Sequence, residues 1–168
     1  MQRRRLLQLG LGAAVLVGVA GAGVALFRPG LAGARLTPAS RLLMGRVAEV
    51  VLAGLLPGEE PARAQALQAQ LQRVDEAVAA LPAPLRAELS QALGLLATAP
   101  GRWALLGLRS DWPEAAAAEL LACLEAQRLS TTGLRQQVYH ALRDLHAIAF
   151  FTAPENWRLA GYPGPREI

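Results

Sequence analysis

From Thr37 to Phe151 the apolar residues recur at steps of three and four, and no stretch alternates in steps of two. Side chains at three- and four-residue steps share one face of a helix, whereas a half-buried strand needs every second residue. The pattern therefore restricts the body to helices packed on one another. Ala and Leu, both strong helix formers, dominate it. The predicted fold is all-α: a compact bundle of about five helices, preceded by an N-terminal signal helix and followed by an irregular tail rich in Pro, Gly and aromatic residues.

The punctuation places the helices. Thr37-Pro38 reads as an N-cap followed by Pro at the first helical position. Leu43, Val47, Val50, Val51 and Leu55 then form one face, and Pro57-Gly58 stops it. Pro61 opens a second helix carrying Leu67, Leu71, Val74 and Val78, which Leu81-Pro82-Ala83-Pro84 breaks. A third carries Leu85, Leu89, Leu93 and Leu96 and is expected to end near Pro100-Gly101. Arg102 to Arg109 is short, apolar and ambiguous. Asp111-Trp112-Pro113 is the expected start of a fourth helix, through Leu120, Leu121 and Leu124. Ser130, Thr131 and Thr132 offer caps for a fifth, with Leu134, Val138, Leu142, Leu145 and Ala149 inward.

The N-terminus has a different texture. Three arginines, Arg3, Arg4 and Arg5, precede nineteen uncharged residues from Leu9 to Phe27. A basic stretch before a mild apolar one is the layout of an export signal. Arg3-Arg4-Arg5-Leu6-Leu7-Gln8 fits the twin-arginine pattern, with Arg3, Arg4, Leu6 and Leu7 in the key places. Five glycines keep the apolar stretch only moderately hydrophobic, as twin-arginine signals are. Ala32 and Ala34 flank Gly33 as a small-x-small cleavage triplet, so residues 1–34 read as the signal and Arg35 as the new N-terminus. As a helix the nineteen residues would span roughly 28 Å, near the ~30 Å hydrocarbon core, so an uncleaved anchor is the competing reading. The Gly-x-Gly pairs are not a dinucleotide loop, since no strand precedes them and no acid follows at the right distance.

Charge supports that division. All 17 basic residues are Arg, and Arg3, Arg4, Arg5 and Arg28 lie in the leader, which has no acid. The remaining thirteen are matched by 13 acids, so the formal net charge of +4 belongs to the leader. That places the positive charge at an anionic membrane surface, not on nucleic acid.

Little in the body points to chemistry. With one cysteine there is no disulfide framework and no multi-cysteine metal site. His140 and His146 are six apart, about 120° around a helix, which does not suit a shared metal. His140 and Asp144 stand one turn apart and read as an ion pair rather than a dyad. Cys123, among Leu120, Leu121 and Leu124, reads as a small hydrophobe. Glu59-Glu60 reads as a helix-start pair, and Trp103 and Trp112 as packing residues. No serine has nucleophile-elbow surroundings. No catalytic, cofactor-binding or metal residue is assigned.

The tail is the remaining signal. Residues 152–168 form a segment whose Gly161 to Pro165 part excludes regular helix. Phe150, Phe151, Pro154, Trp157, Gly161, Tyr162, Pro163 and Gly164 are the expected partner interface, with residues 35–151 as the helical domain; the competing reading, stronger for Trp157 than for Tyr162, is that the indole tucks back onto the chain's own helices and closes the core. Large aromatics dominate binding hot spots, and Pro-flanked segments lose little entropy on docking.

This pattern, Phe150-Phe151, Pro154-x-x-Trp157 and Gly161-Tyr162-Pro163-Gly164-Pro165, resembles the gluconate 2-dehydrogenase subunit 3 family. Leu55-Leu56-Pro57 is similar to that family's Ile-Pro turn, and the twin-arginine leader also fits it. The family often has Tyr where Phe150 and Phe151 stand, and the usual wording after Pro57 is missing. The resemblance implies a non-catalytic small subunit with no cofactor of its own. It implies three partners: a leaderless FAD-containing GMC-type dehydrogenase carried through the Tat translocase, a cytochrome c subunit as electron acceptor, and the translocase itself. It implies a periplasmic location. The alternative reading is a free-standing periplasmic or membrane-anchored helical binding protein.

Overall fold

The computed structural model describes residues 28–164. Arg3, Arg4, Leu6 and Leu7 lie outside them. A two-stranded antiparallel hairpin, β1 (Leu31–Ala32) and β2 (Arg35–Leu36), leads into six α-helices. These are α1 (Pro38–Val51), α2 (Ala62–Ala80), α3 (Ala83–Leu96), α4 (Ala99–Leu106), α5 (Ala117–Arg128) and α6 (Gly133–Phe151). Two short 3₁₀ turns, Pro154–Asn156 and Arg158–Ala160, form the tail.

The all-α expectation holds, and α6 is its axis. It packs against α1, α2, α4 and α5. Its inward residues Val138, Leu142, Leu145 and Ala149 meet Val47, Val74, Leu106, Leu120 and Leu124 in one continuous core. Thr37 caps α1 as its sequence proposes, accepting from the Ser40 N–H at 3.4 Å, with Pro38 behind it.

The sixth helix comes from the ambiguous stretch. Pro100-Gly101 opens α4 instead of closing α3. Thr98 accepts from the Gly101 N–H at 3.1 Å, so a capping residue just before Pro turns an apparent stop into a start. Gly101 is obligatory for packing: a Cβ there would lie 2.0 Å from the Leu95 carbonyl oxygen. Gly101→Ala is expected to lower stability by on the order of 2 kcal/mol, read by denaturant midpoint, because a backbone atom cannot step aside.

Asp111-Trp112-Pro113 does not start a helix. Ala115 N–H donates to the Asp111 carbonyl at 2.8 Å and closes a turn, and α5 begins only at Ala117. The turn is held from within. Trp112 is buried, its Nε1–H donates to the Leu96 carbonyl at 2.8 Å, and Asp111 pairs with the nearly buried Arg102. Trp112 is thus a packing residue, whereas Trp103 is largely exposed.

Candidate partner-docking site

A helix end leaves its last carbonyls without intrahelical donors. At the end of α6 the tail and α2 supply them. Trp157 Nε1–H donates to the Phe151 carbonyl at 2.8 Å, and Asn156 Nδ2 donates to the Phe150 carbonyl at 2.8 Å. Arg73 Nε and Thr152 Oγ1 both donate to the Ala149 carbonyl, at 3.1 and 2.8 Å. Further back along α6, Gln70, wholly buried, adds a donor from Nε2 to the His146 carbonyl at 2.9 Å. A guanidinium at a helix C-terminus also meets the negative end of its dipole. The spacing Pro154-x-x-Trp157 therefore has a local meaning. Pro154 begins a 3₁₀ turn that returns the indole to the helix end.

The rest of the tail wraps that indole. Tyr162 N–H donates to the Trp157 carbonyl at 2.9 Å, and the two rings meet edge-on with centroids 5.6 Å apart. Gly161 and Gly164 both have positive φ, 74° and 99°, values open to glycine and strained for other residues. A Cβ on Gly164 would lie 3.8 Å from the Trp157 ring. Pro163 sits between them, exposed.

The aromatic pair divides its work. Phe150 is buried against Ala48 and Leu52, with Val51, Leu55, Leu56 and Leu67 around it. Phe151 stands edge-on to it, centroids 5.5 Å apart, and is 46% exposed. Ile148, one turn earlier, is 57% exposed, and Leu159 and Tyr162 of the tail are open as well. Phe150 also forms one wall of a groove of about 350 Å³. Leu55, Leu56 and Pro57 line it too, and Leu159, Gln70 and Arg73 complete it. The turn after α1 and the C-terminal motif, about a hundred residues apart in sequence, thus line one depression. Gln70 and Arg73 went unnoticed in the sequence. The available signal was a Gln and an Arg three apart beside the inward Leu71 and Val74, a place where polar side chains border a packed face.

Other chemistry-bearing residues have structural partners. Asp144 pairs with Arg143 at 2.9 Å, and His140 meets Tyr139 edge-on, so the His140–Asp144 pair does not form. Glu60 accepts from the Ala64 N–H at 3.1 Å at the start of α2. Ser110 donates to Glu119 at 2.7 Å, and Ser90 accepts from the Leu31 N–H at 3.1 Å. Cys123 is half-buried, and burial, with Glu119 nearby, pushes its thiol pKa up, away from the reactive thiolate. Among the described residues no three His, Cys, Asp or Glu cluster to hold a metal ion. Among them, too, no helix is long and apolar enough to cross a membrane.

No family model, curated protein or solved structure matches this chain.

Proposed function

We propose that this chain is the non-catalytic small subunit and export escort of a periplasmic FAD-dependent dehydrogenase of the GMC type. It supplies the twin-arginine signal and a docking face, and the flavoprotein supplies FAD and the chemistry. A cytochrome c subunit receives the electrons. The observation that carries this reading is the groove at the end of α6. The two segments that resemble the gluconate 2-dehydrogenase small subunit line it together. Leu159 lines it, and Ile148, Phe151 and Tyr162, on the same end of α6 and in the tail, are large apolar side chains left open to solvent. Aromatic and aliphatic side chains grouped around a shallow depression are the anchors that protein interfaces use.

The test is affinity purification of the full chain from its host, followed by an absorbance spectrum. A yellow co-purifying protein with flavin bands is the expected result. Solitary protein that is itself coloured, or that turns over a substrate unaided, overturns the reading.

The docking face adds a graded prediction. Tyr162→Ala removes an exposed ring while leaving the Trp157 indole in place, and is expected to weaken the complex about tenfold, as losing an interface aromatic commonly does. Trp157→Ala also uncaps the Phe151 carbonyl and frees the tail, so its effect is larger. Both variants should leave the flavin spectrum and the turnover of assembled complex unchanged. Titration of the purified flavoprotein by calorimetry reads the difference.

A further inference from the structure

The small-x-small triplet Ala32-Gly33-Ala34 forms the tip of a hairpin, with Ala32 and Gly33 exposed, and the residues on either side of it are built into the folded body. The triplet's first residue ends β1, and Arg35 begins β2, with Leu31 opposite Leu36 and Ala32 opposite Arg35. Gly33, at φ +66°, is where the chain reverses. Leu31 and Leu36 are both buried in the main core. Gly30 is pressed against α3 so closely that a Cβ would lie 2.4 Å from Leu93 Cβ and 2.8 Å from the Ser90 carbonyl oxygen.

Hydrogen bonds tie both strands down. Gly30 N–H donates to the Ser90 carbonyl at 2.9 Å, and Leu31 N–H to Ser90 Oγ at 3.1 Å. Leu36 N–H donates to Asp75 Oδ1 at 2.8 Å, and Arg41 holds the other oxygen of that carboxylate. The Gly30 carbonyl accepts from both the Thr37 N–H and Thr37 Oγ1, each at 3.0 Å. Cutting after Ala34 would separate Gly30 and Leu31 from α3 and α1 and leave Thr37, the cap of α1, without its carbonyl partner.

A processing peptidase reads such a triplet as extended chain, with the two small side chains on the same side, as residues i and i+2 of a strand are. The hairpin bends the backbone back at the middle residue, so the alanines are not presented in that way. A twin-arginine route delivers cargo already folded, so this geometry is what the peptidase would meet. We infer that the mature protein keeps residues 30–34 as part of its fold and that Ala34–Arg35 is not a processing site. The inference rests on the export reading for its setting, and on the hairpin for its content.

The test is the N-terminal sequence and intact mass of the full chain recovered from cytoplasmic, membrane and periplasmic fractions of an exporting host. The expected exported species shows no mass loss corresponding to residues 1–34. A start anywhere upstream of Gly30, Met1 included, agrees with the inference. A main exported species starting at Arg35 overturns it while leaving the export reading intact. Should the chain stay wholly in the cytoplasm, export fails as a reading, and the full chain in detergent micelles is treated with purified signal peptidase. Resistance of the Ala34–Arg35 bond then upholds the inference, and cutting there overturns it.

Discussion

Replacing Arg3 and Arg4 together with lysine is expected to strand the flavoprotein partner in the cytoplasm and abolish periplasmic dehydrogenase activity. The substitution keeps every charge, so it separates two explanations of the basic leader. A leader that only meets an anionic membrane surface needs point charges, and lysine supplies them at about 1 kcal/mol each. A leader read by a translocase needs the planar guanidinium fork, whose paired donors an ammonium cannot imitate. Cell fractions assayed for dye reduction and probed for both chains distinguish them. Normal delivery of the partner by the lysine variant sinks the escort reading. Loss of delivery with intact small-subunit folding, checked by circular dichroism of the purified chain, supports it.

The helical architecture was legible because it depends on periodicity, which one sequence displays in full. Leu71, Val74 and Val78, or Val138, Leu142 and Leu145, announce their inward faces without knowing what they meet. The errors came where a residue's role is decided by a distant neighbour. Pro100-Gly101 reads as a stop until Thr98 is seen capping the next helix. Asp111-Trp112-Pro113 reads as a helix start until Arg102 claims the Asp111 carboxylate and Leu96 claims the Trp112 indole N–H. Each miss is a tertiary contact overriding a local signal. The tail lies between these cases. Its sequence excludes regular helix, because of Pro and Gly, and leaves open whether the aromatics pack on this chain or on another. That Trp157 turns back onto the chain itself is one of those two readings, and the structure adds the reason, an indole N–H bonded to the last carbonyl of α6. That the turn after α1 packs beside Phe150 and lines one groove with it is beyond any local pattern.

Acid is expected to weaken the fold through His146, and the size of that effect follows from its surroundings. The imidazole is fully buried between α1, α2 and their neighbours on α6, and neither ring nitrogen has a partner in hydrogen-bond geometry. Burial pushes its pKa down from 6.5 to about 4, with the nearby Met44 backbone acting the other way. The folded protein therefore holds a neutral ring at pH values where the unfolded chain already binds a proton. Since the unfolded state binds more protons in that interval, stability rises with pH across it. The contribution is complete above pH 6.5, is lost progressively as pH falls toward 4, and stays constant below that. At about 1.4 kcal/mol per pH unit the full loss is about 3.5 kcal/mol, of which about 3 is reached by pH 4, a large share of the roughly 5–15 kcal/mol that hold a domain together. Carboxylates titrate nearby in pH, so the wild-type slope alone does not isolate the histidine. His146→Met keeps an apolar side chain of similar length in the same space and removes the titrating ring. Urea midpoints measured every half unit from pH 4 to 7.5 should therefore show a slope between 4 and 6.5 that is steeper in wild type than in the variant. The two proteins should diverge by about 3 kcal/mol in total. Parallel curves would mean that the ring is already solvated or paired in the folded state.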